Sequence, residues 1–135
     1  MLTNLPLRRG DVLTRRSPAL TQVAFDIFGE YMGFDAPIHT DPAYAAGTPF
    51  SGTFAQGMLL LSFFEPWLRE LFGVEAWTER GRLTGKLLSP AFVGETLTLE
   101  LTCRDLSSNG MALDLRIVAA DRVIAVGEVG INTNA

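Results

Sequence analysis

One cysteine and one histidine occur in 135 residues, and each scarcity excludes something. A lone thiol, Cys103, can form neither an intrachain disulfide nor a cysteine metal cage, so no metal or other cofactor is expected. Long apolar runs are missing too. The longest, Met58-Leu59-Leu60-Leu61, falls far short of the ~20 residues a spanning helix needs, so no membrane role is expected. Positive charge is in short supply, with 11 Lys and Arg against 15 Asp and Glu, a net charge of -4 and a pI near 4.9. That balance argues against a nucleic-acid partner, because phosphate binding relies on clustered cations. Arg8-Arg9 and Arg15-Arg16 read as solvated surface. The start, Met1 to Arg9, lacks the basic and apolar regions of a secretory leader, and a soluble cytoplasmic protein is the expectation. What remains is the composition of a globular domain, 47% apolar and 19% charged, expected to form a single unit over residues 1–135.

The first half of the chain is helical and irregular and the second half rich in strands, the pattern of an α+β domain. Asp11 to Ser17 alternates as a first strand, and Thr21 to Tyr31 has helical apolar spacing through Val23, Ala24, Ile27, Phe28 and Tyr31. Glycines and prolines recur from Gly33 to Thr53 and forbid a long regular element; such stretches inside compact domains are usually functional. Phe54 to Phe72 is apolar on nearly all sides, so it reads as a buried helix that Pro66 kinks or splits and Gly73 ends in a left-handed cap. Four strands are expected after it: Arg80 to Leu88, Thr96 to Arg104, Met111 to Ala119 and Val123 to Asn132, with tight turns at Asn109-Gly110 and Asp121-Arg122. Cys103 falls on the apolar face of its strand and is expected to pack there. Consecutive antiparallel strands round one buried helix imply the hot-dog arrangement.

The single histidine lies in Asp35-Ala36-Pro37-Ile38-His39-Thr40-Asp41-Pro42, flanked by carboxylates and held between prolines. Imidazole takes up and returns protons near neutral pH, which makes His39 the best candidate for acid-base chemistry. The prolines fix their own φ and bias Ala36 and Asp41 toward extended backbone, giving His39 a stiff support.

The run Ala36 to Ala45, then Thr48-Pro49-Phe50 and Ala55-Gln56-Gly57-Met58-Leu59, resembles the signature of the MaoC-like dehydratases. These include (R)-specific enoyl-CoA hydratases of the hot-dog fold, whose usual pattern is Gly-Asp-x-Asn-Pro-x-His-x-Asp-Pro followed by His-Gly-Met. Leu88 to Leu97 is similar to a second hallmark, a proline followed by a Val-Gly-Asp/Glu-Thr turn. The resemblance is strongest over residues 28–62 and 88–97. It implies reversible syn addition of water to a trans-2-enoyl thioester, with CoA or a carrier protein as the handle, in a homodimer whose sheets join edge to edge near the site. It also implies that the motif histidine and an aspartate activate water while a glycine at the start of the central helix offers its N–H to the thioester carbonyl. His39 and Gly57 match the histidine and the glycine. A side chain clashing with neighbouring backbone is the alternative reason for a glycine at 57. Ser62 matches a serine found near the acid-base pair in many members, and bonding the carbonyl four residues back is its alternative role.

Three positions depart from the pattern: Phe34 replaces the aspartate, Ala36 the asparagine, and Gln56 the histidine before the glycine. Asp35 is the candidate surrogate acid if the loop bulges after Gly33, although adjacent extended residues point to opposite sides; a solvated carboxylate at a helix end is its alternative role. Phe34 would then line an acyl pocket, Gln56 and Ser62 its polar wall, and Asp41 would fix the loop through an Asx-type turn. Glu30, Tyr31 and Glu65 are reserves. Three functions follow: hydratase or dehydratase on an acyl thioester, hot-dog thioesterase, or a non-catalytic acyl-thioester-binding subunit that lost the aspartate.

Overall fold

The computed structural model describes residues 6–132, so the opening residues of the leader reading lie outside the described part. Five strands form one antiparallel sheet: β1 (Val12–Arg16), β2 (Gly81–Leu87), β3 (Thr98–Ser107), β4 (Gly110–Val118) and β5 (Val123–Asn132), in the order β1-β3-β4-β5-β2. Alternation drives this sheet. Leu99, Leu101 and Cys103 of β3 pair with Ile117, Leu115 and Leu113 of β4, and Leu113 pairs with Val129 of β5, which puts all seven on one buried face. The other face carries charge, with Arg116 opposite Glu100 and Arg104 reaching both Asp114 and Glu128.

Against the buried face lies the apolar segment, and Pro66 splits it as its ring chemistry requires. The pieces are α4 (Gly57–Ser62) and α5 (Glu65–Phe72), with Pro66 in the first turn of α5, where the missing N–H has no helical partner to lose. Phe64 at the joint, with Leu60 and Leu68 on either side of it, has no exposed surface. Burial is not all round, however. Met58 is 52% exposed, because that flank of α4 borders a cavity rather than the sheet. Gly73 has the expected positive φ of 89°, but with ψ at 143° it turns the chain into α6 (Val74–Arg80) instead of forming a left-handed cap. That helix was not anticipated from sequence.

The first helix, α1 (Gln22–Met32), starts where Thr21 accepts a hydrogen bond from the Ala24 N–H and ends at Gly33 in the left-handed conformation. The irregular segment after it holds two single turns, α2 (Pro37–Thr40) and α3 (Pro42–Ala46), each opened by a proline. His39 therefore rides on a helical turn rather than on extended loop, while Ala36 and Asp41 on either side are extended as expected. Asp41 accepts from the Tyr44 N–H, the Asx-type cap. Among the described residues no helix is long and apolar enough to cross a membrane.

Candidate active site

His39 is half-buried and fixed on several sides. Its N–H donates to the Ala36 carbonyl at 2.9 Å, and its own carbonyl accepts from Gln22 Nε2 at 2.8 Å, which joins α2 to α1. Gln22 is itself held by the Thr53 hydroxyl at 2.5 Å. The imidazole meets the Phe54 ring edge-on, with centroids 5.2 Å apart. Most important, Nδ1 lies 2.8 Å from the Phe54 carbonyl oxygen. A carbonyl only accepts, so Nδ1 carries the hydrogen and the neutral ring keeps its lone pair on Nε2.

His39 borders a cavity of about 290 Å³ together with Gln56 and Gly57. Phe34, Met58, Leu61 and Leu87 supply an apolar wall. Gly57 is the first residue of α4, so its N–H has no partner within the helix. A Cβ built at Gly57 meets nothing within 4 Å. Backbone crowding is therefore not the reason for glycine there; its missing side chain leaves open space on the cavity side. Gln56 is 2% exposed, and its Nε2 donates to the Phe25 carbonyl at 2.8 Å and the Phe34 carbonyl at 3.0 Å, tying α1 and the following turn to the head of α4. Its Oε1 is the one buried side-chain polar atom without a partner among the described residues.

The remaining sequence candidates divide clearly. Phe34 stacks on Phe28 with centroids 5.8 Å apart and presents its ring to the cavity rim. Asp35 is exposed and does not border the cavity, and among the described residues its carboxylate has no partner; its main-chain carbonyl accepts from the Thr40 hydroxyl at 3.0 Å. Ser62 donates to the Leu59 carbonyl at 2.6 Å, three residues back, and lies off the cavity wall. Of the reserves, Tyr31 is 78% exposed and Glu65 accepts from the Trp77 indole at 3.0 Å. No carboxylate lines the cavity among the described residues. Sequence reasoning missed Lys86, the single lysine of the chain, which borders the cavity from the end of β2, and it missed the Phe54 carbonyl. The scarcity of lysine was a usable signal; a main-chain acceptor leaves none.

Comparison with known proteins gives the family and the fold. A MaoC-like domain profile matches residues 10–120. An (R)-specific enoyl-CoA hydratase from Aeromonas caviae is 36% identical over 92 residues, a match spanning 66% of this chain and 63% of that relative. Among solved structures, an R-hydratase from Pseudomonas aeruginosa is 25% identical with a TM-score of 0.78, covering 93% of this chain and 81% of its own. An (R)-hydratase from Aeromonas caviae involved in PHA biosynthesis is likewise 25% identical, with a TM-score of 0.77 and coverages of 93% and 96%. The five-stranded sheet around α4 and α5 is thus the hot-dog fold of these hydratases. With its profile match running from β1 through β4, the chain belongs to the MaoC-like domain family.

Proposed function

We propose that this protein reversibly hydrates a trans-2-enoyl thioester to the 3-hydroxyacyl thioester, using His39 as both base and acid. The observation that carries this reading is the Nδ1 hydrogen bond to Phe54, which leaves an unprotonated Nε2 at a cavity that also holds the free N–H of Gly57. Nε2 takes one proton from water as the hydroxyl oxygen bonds to the β-carbon. The electron pair of the double bond moves toward the carbonyl oxygen, where the Gly57 N–H meets the developing charge. The imidazolium then returns its proton to the α-carbon. One base serving one face gives net syn addition, and this route proceeds without a carboxylate, at the lower rate that a missing partner entails. The exposed position of Asp35 supports this single-histidine route over one in which Asp35 replaces the family aspartate.

The absence of any carboxylate from the cavity wall favours one second reading, an acyl-thioester-binding subunit without turnover. The protein acts as a single domain over residues 1–135, in the cytoplasm, and as a homodimer. The test is to mix it with a short trans-2-enoyl-CoA and follow the enoyl absorbance and free thiol together. Slow loss of absorbance without thiol is the expected result, since a missing acid-base partner costs about a hundred- to ten-thousand-fold. Thiol release as the main product would replace this reading with a thioesterase, and saturable binding without turnover would replace it with the binding subunit.

A further inference from the structure

The second hallmark turn, Pro90 to Glu95, borders the catalytic loop without lending a side chain to the cavity, yet it connects to His39 by an unbroken line of hydrogen bonds. Glu95 Oε1 accepts from the Phe92 N–H at 2.8 Å. That N–H shares a peptide unit with the Ala91 carbonyl, which accepts from the Ala55 N–H at 2.9 Å. The Ala55 N–H in turn shares a peptide unit with the Phe54 carbonyl, the acceptor of His39 Nδ1 at 2.8 Å. Phe54 and Phe92 sit opposite each other as an isolated antiparallel bridge, and Phe54 N–H returns to the Ile38 carbonyl beside His39. Each peptide unit is planar and trans, so fixing its N–H aims its C=O the opposite way.

We propose that Glu95 is a positioning residue for His39, acting through two peptide groups as the carboxylate that orients and polarises the imidazole. The anionic end is well anchored. Arg122 grips both Glu95 oxygens at 2.6 and 2.9 Å, donates to the Pro90 carbonyl at 2.6 Å, and lies over the Phe92 ring. Asp121 shares the same guanidinium at 2.9 Å. A carboxylate accepting from an amide raises the electron density on the carbonyl of that peptide, and each bond in such a chain strengthens the next by about 10–30%. The Phe54 oxygen at the far end becomes a better acceptor, which holds the proton on Nδ1 and the lone pair on Nε2. The family aspartate is absent from this chain, and the hallmark glutamate supplies orientation from a distance. The inference rests on the reading of His39 as the base.

Because the chain has one histidine, selective isotope labelling gives a single pair of ring-nitrogen signals, so the test needs no activity. Wild-type protein is expected to show the Nδ1–H tautomer. Glu95→Gln should move the ring toward the Nε2–H form of free histidine, lower kcat by about tenfold and leave KM within about twofold. Glu95→Asp, which keeps the charge, should recover most of the tautomer and rate. An unchanged tautomer and kcat in folded Glu95→Gln would overturn the proposal. A second measurement covers the case in which that variant fails to fold. During a pH titration of wild-type protein, the Ala55 and Phe92 amide signals should follow the His39 titration curve, and amides that stay flat through it would overturn the relay. A tautomer that responds to Glu95 in a protein without hydratase activity would refute the function and leave the relay standing.

Discussion

His39 shows how much one hydrogen bond decides. A ring that bonded Phe54 through a protonated Nε2 would offer the cavity only Nδ1, crowded by its own backbone; the observed contact instead leaves Nε2 free. Substitutions at Asp35, His39 and Phe34 test whether that nitrogen works alone. Asp35 is solvated and unpaired, so Asp35→Asn should change kcat/KM by less than about twofold, while His39→Ala should remove turnover and leave the melting temperature almost unchanged, as expected for a half-exposed side chain on a connecting turn. Phe34 sits on the cavity rim where the family carries its aspartate, and Phe34→Asp should raise the hydration rate by at least about tenfold if the carboxylate meets the same water. Steady-state rates on an enoyl-CoA read all three variants. A strong loss in Asp35→Asn would mean that this side chain swings inward on binding. His39 was legible in the sequence because the residue type is rare and its setting patterned. Its partner was not, because a peptide carbonyl carries no residue signature.

Strands and helices were legible wherever a face had to be buried. The alternation in β3 and β4 was sufficient, since one slip in register would turn Leu101 and Cys103 toward water and their charged neighbours inward. Helix α6 escaped because only Trp77 among its seven residues is buried, too little for a periodic signal. The close approaches of β2 to its neighbour β5 and to α4 also escaped, since they depend on side chains that are missing. At Gly127 an added Cβ would stand 2.0 Å from the Thr84 carbonyl oxygen, and at Gly85 it would strike Leu61 on the cavity wall. The Pro90–Glu95 turn carries the clearest electrostatic consequence. The bidentate Arg122 guanidinium, aided by the Phe92 N–H, holds the Glu95 carboxyl below its ordinary value of 4.5 against the opposing effect of burial. A depressed folded value means the native state holds fewer protons than the unfolded chain near that pH. The stability from this pair is therefore complete above about pH 4.5 and lost as pH falls through the folded value. Melting curves of wild type and Glu95→Gln should differ most at neutral pH and converge on acidification; a constant gap would mean the pair contributes packing rather than charge.

The molecule ends its sheet in two unlike edges. β1 carries Arg15 and Arg16, and Arg15 is already engaged by Glu70, so charge blunts that side against further pairing. β2 closes the other side, and apolar surface gathers around its end: Leu87 is 40% exposed, Leu88 51%, and Phe50 46% across a shallow hollow. The same strand end forms one wall of the cavity through Gly85 and Leu87, so a second copy pairing along β2 would complete the rim of the site instead of lying remote from it. A self-complementary edge favours a two-fold dimer, as the same strand meets itself in antiparallel register. Light scattering at micromolar concentration should give twice the 14.7 kDa chain mass. Leu88→Glu should shift the protein to monomer and weaken enoyl-thioester turnover together, because it puts a charge into the exposed apolar surface that the second copy would cover beside the cavity rim. Val12→Glu on the β1 edge should leave mass and turnover unchanged. A wild-type species of single-chain mass would refute the dimer, and dissociation by Val12→Glu alone would place the interface on the β1 edge and detach the site from assembly.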